Sequence, residues 1–297
     1  DMYMYPLKSG RRLEVQTAIC TEYGLQSIDP SIPHFRDRCL VVYKESTGEA
    51  ITARTRPKMV LIETFPVDNR KFGLSAPNMD NLIFKFPTLK DKDKDNHIRM
   101  FDKEDVFTID CGDEAAQWIS KYLLGQPTGL RIGFHDGNYR RDIEKVHKKY
   151  IKTYPLLDNS VGGMYSDLAT ILIMTKASME DLEKRIPNSD VTVHNFRPNV
   201  LIDSEKIQPY DEENWDWFKI GDIVFRNVML CPRCSFPTIN PETAEFSKNY
   251  EPITTMKKYR PLIQFQSESP SPNMGIYARV SNPGQIRTGD TIYIGKN

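Results

Sequence analysis

The stretch VMLCPRCSFPTINPETAEF, residues 228–246, leaves a strand-like apolar run, passes through a C-x-x-C and enters a loop rich in Pro, Thr and Asn. Its two cysteines, Cys231 and Cys234, enclose Pro232 and Arg233. Three readings of the pair compete. A structural zinc site needs four ligands, commonly with a second C-x-x-C or an H-x-H partner downstream. No Cys and no His follows Cys234, so zinc would have to recruit Cys20, Cys39, Cys111 or a distant histidine. A thioredoxin-type dithiol sits at a helix N-terminus, where the dipole lowers the thiol pKa; Pro237 and Asn240-Pro241 allow no helix start here. The plainest reading is two unrelated cysteines, one packed and one idle. The flanks add a further possibility. Arg233 favours a neighbouring thiolate, and a loop following a strand is where function concentrates. A soft thiolate suits a soft or high-valent transition metal. One cysteine is then enough if a cofactor brings the other ligands.

Working outward, the runs around this stretch are strand-like: NVLID (199–203), KIGDIVFRNVML (219–230), GIYARV (275–280) and TIYIG (291–295). Earlier come LEVQTAIC (13–20), RCLVVYKE (38–45), KMVLIETF (58–65), DVFTID (105–110) and ATILIMT (169–175), all short, β-branched and turn-bounded. Helices are fewer. DEAAQWISKYLLG (113–125) places Ala116, Ile119 and Leu123 on one face and stops at Gly125; SMEDLEKRI (178–186) opens with Ser178 as a predicted N-cap. The fold class read from this is α+β and β-rich, with barrels or sandwiches favoured over a doubly wound parallel sheet. TLKDKDKDNH (88–97) reads as a solvated charged loop. The 134–155 stretch is basic, and a boundary near it divides the chain into 1–150 and 151–297.

Forty Lys and Arg balance forty Asp and Glu in 297 residues, so a general nucleic-acid binder is disfavoured. The densest apolar run, ATILIM (169–174), is far shorter than the roughly 20 residues that span a bilayer. No signal peptide is visible, and the strand-like opening at Asp1 without an initiator Met is expected of a trimmed chain, which leaves room for an upstream anchor. Five cysteines, an odd number, fit a reducing compartment rather than a disulfide scaffold.

The loop at 228–245, followed by TTMKKYR (254–260) and NPGQIRTGDTIYI (282–294), closely resembles the end of the MOSC-domain molybdenum-cofactor proteins of the mitochondrial amidoxime-reducing component family. The likeness runs through YPLKS (5–9), FRDRCLVV (35–42), ITARTRPKMVLI (51–62), CGDEAAQWIS (111–120), YSD (165–167) and NFRPNVLID (195–203), in order. It implies a MOSC β-barrel domain and a MOSC N-terminal β-barrel-like region, with the cofactor at their interface and the first strand shared. By the same resemblance Cys234 is the protein ligand of molybdenum and Cys231 packs or supports the loop. Lys8, Ser9, Arg38 and Arg197 match contacts to the cofactor, Mo-molybdopterin, and Arg54, Asn195 and Arg233 are further candidates to contact it. Asp167 is the candidate to position substrate or relay protons. The implied reaction removes oxygen from amidoximes, hydroxamic acids or N-hydroxyguanidines, with electrons from NADH through cytochrome b5 reductase and cytochrome b5. No nucleotide or haem motif in the chain supplies them internally. Arg140 to Lys152, six cations against two acids, is a candidate face for the acidic cytochrome, against the plainer reading of a solvated basic helix. The implied location is the outer mitochondrial membrane, facing the cytosol, with membrane contact only through an upstream anchor. A cofactor-binding, storage or sulfur-carrier protein without turnover is the alternative. The chain departs from the family pattern at Pro232, at Leu168 and Ala169, and in the longer loop IDPSIPH (28–34).

Overall fold

The computed structural model describes residues 1–32, 35–88, 96–101, 104–263 and 270–295. The charged loop expected at 88–97 and the end of the 28–34 loop therefore lie mostly outside the described residues.

Eight strands form the largest sheet, in the order Leu13–Val15, Met2–Met4, Val200–Ile202, Ile171–Thr175, Asn273–Val280, Ile223–Pro232, Trp217–Ile220 and Ile292–Gly295. Its two edges are brought together by a second ladder. Leu13–Val15 continues through Gln16 into Thr17–Thr21, which pairs antiparallel with Gly284–Arg287, the strand just before Ile292–Gly295. The Thr288 N–H donates to the Gln16 carbonyl at 2.9 Å and extends this join. The result is the β-rich, barrel-like architecture expected from the sequence. Met2 lies opposite both Val15 and Val200, so the start of the chain is built into the sheet formed by its second half.

The first half makes smaller units. Ile109–Asp110, Leu130–Phe134, Leu40–Lys44 and Ala50–Ile51 form a four-stranded sheet, and Glu63–Asp68, Lys71–Ser75 and Leu82–Lys85 a three-stranded one. The helix Asp113–Leu124 covers the former. Its Ala115, Ala116 and Ile119 are buried, and Gly125 caps it in the left-handed conformation with its N–H on the Lys121 carbonyl. Apolar side chains from both halves, Leu7, Leu40, Ile132, Ile171, Phe218 and Ile276 among them, belong to one continuous core.

Several local readings shift in three dimensions. The 13–20 run is two strands in two sheets, because a barrel-like wall needs the chain to change partners. The first part of 58–65 is a 3-10 turn, Pro57–Leu61, since Pro57 presets φ for helical geometry and cannot donate to a ladder. The 219–230 run turns at Gly221, φ +56°, and is the end of one strand and most of the next. The second helix begins three residues early, at Lys176, with Thr175 rather than Ser178 as the cap. Ser178 instead donates to the buried Glu212 carboxylate. The basic 140–152 stretch forms two short helices, Ile143–Val146 and Lys148–Thr153, not one solvated helix.

One glycine in the large sheet is obligatory. Gly275 has φ +74°, and a Cβ there would sit 2.5 Å from the Ile173 carbonyl of the neighbouring strand. Gly275→Ala is therefore expected to destabilise the fold by about 1–3 kcal/mol, read as a lowered urea midpoint. An unchanged midpoint would mean the strand relaxes freely there.

Candidate functional site

Three turns, each containing a non-glycine residue with positive φ, deliver cations to one place. Ser9 (φ +67°) follows Lys8 in the turn after the first strand. Arg38 (φ +47°) donates its N–H to the Tyr5 carbonyl at 2.9 Å, which docks its turn on the first one. Arg197 (φ +59°) caps the one-turn helix Val193–Phe196. Such conformations cost free energy for residues with a Cβ and tend to gather at functional sites.

The side chains converge on Tyr5. The Arg38 and Arg197 guanidinium carbons lie 4.5 and 4.1 Å from its ring centroid. Arg38 also donates to Asp37, a fully buried carboxylate, and to Asn199 Oδ1 at 3.1 Å. Arg197 donates Nη1 to the Gly10 carbonyl at 2.6 Å, while its Nη2 is buried with no partner among the described residues. Burial lowers the Arg197 pKa to about 10, and burial pushes the Tyr5 phenol up to about 12 against the two arginines. Two like charges held this close, one with an unspent donor, form a seat for an anion.

Opposite them Lys8 Nζ donates to Asp167 Oδ1 at 2.6 Å and to the Tyr165 carbonyl at 2.8 Å. Burial lowers the Lys8 pKa, partly countered by Asp167. For Asp167, desolvation pulls upward but is outweighed by Lys8, Arg38 and Arg54, which hold the carboxyl well below the usual carboxylate range. Its side chain remains 56% exposed to the cleft while Lys8 is 8% exposed, so the carboxylate is the accessible member of the pair.

The thiols part company as the loop turns. Cys231 is the last residue but one of the long strand, is 1% exposed, and burial raises its thiol pKa against the opposing pull of Arg233. Cys234 is exposed and accepts the Phe236 N–H at 3.4 Å. Arg233 holds the loop between them: it donates Nε and Nη2 to the Met274 carbonyl at 3.0 and 2.6 Å and Nη1 to the Phe196 carbonyl at 2.9 Å. Lys8, Ser9, Arg38, Arg54, Asp167, Asn195, Arg197, Arg233 and Cys234 all line one cleft of about 240 Å³. Among the described residues no group of three or more His, Cys, Asp or Glu is arranged to hold a metal by itself.

Residues 1–126 match the MOSC N-terminal beta barrel domain and residues 162–293 match the MOSC domain. Mitochondrial amidoxime reducing component 2 of Macaca fascicularis is 34% identical over 98% of this chain and 82% of that protein. The chain belongs to the mitochondrial amidoxime-reducing component family of MOSC-domain proteins. The component 2 of Bos taurus is 33% identical over 99% of this chain and 82% of its own length. The component 1 of Homo sapiens is 32% identical over 99% and 82%.

Within this MOSC-family cleft the residues named from the sequence, apart from the buried Ser9, divide into two groups. Lys8, Arg38, Arg54, Arg197, Asp167 and Cys234 keep polar atoms facing the space. Asn195 and Arg233 are committed to backbone. Asn195 Oδ1 accepts the Thr192 N–H at 2.9 Å, closing a capping box, and its Nδ2 donates to the Pro237 and Ile239 carbonyls at 2.9 and 3.1 Å. Asn195 thus ties the Arg197 turn to the Cys234 loop. Asn195→Ala is expected to cost about 1–3 kcal/mol of stability, because two buried carbonyls lose their donor. A melting curve indistinguishable from the parent's would refute this brace.

Sequence reading passed over several groups. Asn199 accepts the Leu172 N–H and an Arg38 N–H and donates to the Tyr3 carbonyl, so it joins three segments behind the arginines. It sat in the quoted NFRPN motif with no separate signal. Arg141, from the supposed surface stretch, is fully buried against Glu104 at 2.6 Å and donates to the Ser166 and Asp167 carbonyls at 2.5 and 3.1 Å. It holds the Asp167 turn from behind. His147, Tyr150 and Tyr277 complete the cleft wall.

Proposed function

We propose that this protein is a molybdenum-cofactor-dependent reductase of N-hydroxylated compounds, in keeping with the names of its amidoxime-reducing relatives. The observation that carries the reading is one exposed thiol, Cys234, beside a cluster of cations that is over-supplied for the protein's own needs. The donor set fits the cofactor. An orphaned, buried Arg197 Nη2, with Arg38, Lys8 and Arg54, suits its phosphate and pterin oxygens, and a single protein sulfur suffices where the cofactor brings a dithiolene. When bound, the molybdenum cofactor supplies the two-electron redox chemistry that breaks the N–O bond.

The chain's own residues bind, orient and manage protons. Lys8, Ser9, Arg38 and Arg197 hold the anionic end. Asp167, kept ionised by Lys8, accepts a hydrogen bond from the substrate's N–H or N–OH and so orients it; at neutral pH it is an acceptor and not a proton donor. Lys8, whose ammonium burial makes more acidic, is the proton-bearing group behind it. The balance for an amidoxime is two electrons and two protons in, one amidine and one water out. Electrons come from NADH through cytochrome b5 reductase and cytochrome b5, and the protein works at the outer mitochondrial membrane, facing the cytosol, through an N-terminal anchor. No helix of the described residues is long and apolar enough to cross a membrane.

The test is molybdenum content by elemental analysis, beside benzamidoxime reduction with a cytochrome b5 system, on protein made where the cofactor is available. About one metal per chain with turnover is expected. Bound molybdenum without turnover would turn the reading to cofactor storage or sulfur carriage, and zinc in its place would end it.

A further inference from the structure

Beside the cleft of Cys234 lies a larger one of about 710 Å³. That is within the ~300–1,000 Å³ typical of small-ligand sites. The two share Lys8, Thr52, Arg54 and Phe101, and the second is also lined by Ser235, the residue after Cys234. It therefore opens next to the thiol.

Its lining has two characters. Ile51, Met100, Phe101, Leu124 and Leu130 give it an apolar body, while Lys8, Lys44, Arg54, Arg56 and Arg99 face one acid among the described residues, Glu49. Lys8 is paired with Asp167 and Lys44 with Glu49, each at 2.6 Å. Arg54, Arg56 and Arg99 make no ion pair among the described residues: Arg54 Nε donates to Thr52 Oγ1 at 3.4 Å and Arg99 Nη2 to the Thr47 carbonyl at 3.2 Å. Their placement is built in. The Thr52 carbonyl accepts the N–H groups of Thr55 and Arg56, both at 3.0 Å, a tight turn that Pro57 then locks into a 3-10 helix. The Arg99 N–H donates to the Gly48 carbonyl at 2.9 Å, fixing that strand against the same wall. Arg54 and Arg99 act on Asp167 and Glu49 only through longer-range attraction, so their guanidinium donors, with those of Arg56, stay open beside an apolar floor and suit an anionic group carried on an apolar body.

We propose that this second cleft seats the substrate and selects N-hydroxylated compounds that carry a carboxylate or phosphate on an apolar, aromatic body, remote from the N–O group. The anion lies on Arg56 and Arg99, the body on the half-buried Phe101, and the N–O end points to the Cys234 side. This deepens the reductase reading and rests on it for which end of the ligand reacts; the selectivity for an anion rests on the cleft alone.

The experiment is equilibrium dialysis of cofactor-loaded protein with benzamidoxime and with 4-carboxybenzamidoxime, in the parent and in Arg56→Gln and Arg99→Gln. Both arginines are exposed, so the variants keep the fold. The carboxylated probe is expected to bind about tenfold more tightly, with the advantage shrinking as salt shortens the reach of the charges. Each variant should lose at least about threefold for that probe and leave benzamidoxime unchanged. Equal binding of the two probes by the parent, or a loss shared by both in the variants, overturns the proposal. Turnover measured on the same samples separates the two ideas. Selective binding without any turnover removes the reductase reading and leaves the anion-selective cleft; turnover without selectivity does the reverse.

Discussion

Cys234→Ala is expected to abolish reductase turnover and molybdenum retention while leaving the melting temperature unchanged. The side chain is exposed, and its sulfur accepts only a long hydrogen bond, 3.4 Å from the Phe236 nitrogen, so the fold loses little. Turnover falls by more than about 10³-fold, at least ~4 kcal/mol of transition-state stabilisation, because no other thiol in the cleft can replace it. Cys231 lines the same cleft but is packed among Leu168, Ala169, Leu172 and Tyr277, with its thiol pKa raised by burial. Cys231→Ala should do the opposite: about 1 kcal/mol of stability lost with metal content kept. The comparison of the two variants, by elemental analysis and thermal melting, is decisive. If Cys231→Ala loses the metal and Cys234→Ala keeps it, the roles are reversed and the reading of the loop is wrong.

Arg141→Met is expected to cost about 3–5 kcal/mol and to change the acid limb of the stability curve. Glu104 is 2% exposed and Arg141 0%, and they meet through two hydrogen bonds of 2.6 and 2.8 Å, with His147 Nε2 3.4 Å from the Oε2 that Arg141 Nη2 also reaches. Burial alone would raise the Glu104 pKa, but Arg141 and His147 outweigh it and bring it down from 4.5 to about 2. A carboxyl with a depressed folded-state pKa contributes stability above its unfolded value and loses it as pH falls. The parent should therefore lose roughly 3 kcal/mol of this contribution between pH 4.5 and about 2. In Arg141→Met the carboxylate is left buried without its main partner, so mild acid should stabilise the variant instead. Urea titrations at a series of pH values read both effects. Replacing both partners, Arg141→Met with Glu104→Leu, should recover much of the loss. A single variant with less than about 1 kcal/mol of loss and an unchanged acid limb would show that the pair is not the brace of the Asp167 turn.

What could be read without coordinates was what local chemistry determines. Alternating β-branched runs gave the β-rich class, Gly125 marked a helix end, and the lack of ligands beyond Cys234 weighed against zinc. The motif series brought Lys8, Arg38, Asp167, Arg197 and Cys234 into one candidate set, although Lys8 and Asp167 are 159 residues apart in the chain. Other properties depend on which distant surfaces come together, and no window of sequence contains that. Asn195 and Arg233 read as ligand candidates because they stand in the family-like motifs; only packing shows their polar atoms spent on carbonyls from 37 to 44 residues away. Arg141 sat in a run of charges that looked solvated, and was drawn inward because Glu104 and the carbonyls of the Asp167 turn needed a donor. The three positive-φ turns at Ser9, Arg38 and Arg197 have no local sequence cause, since none is Gly or Asn. The sheet and its hydrogen bonds impose them, because the free energy of closing the core exceeds the strain of three backbone angles. The chain's own residues thus determined the class of fold and proposed the members of the candidate site, while burial decided which of those side chains face the cleft and which hold it open.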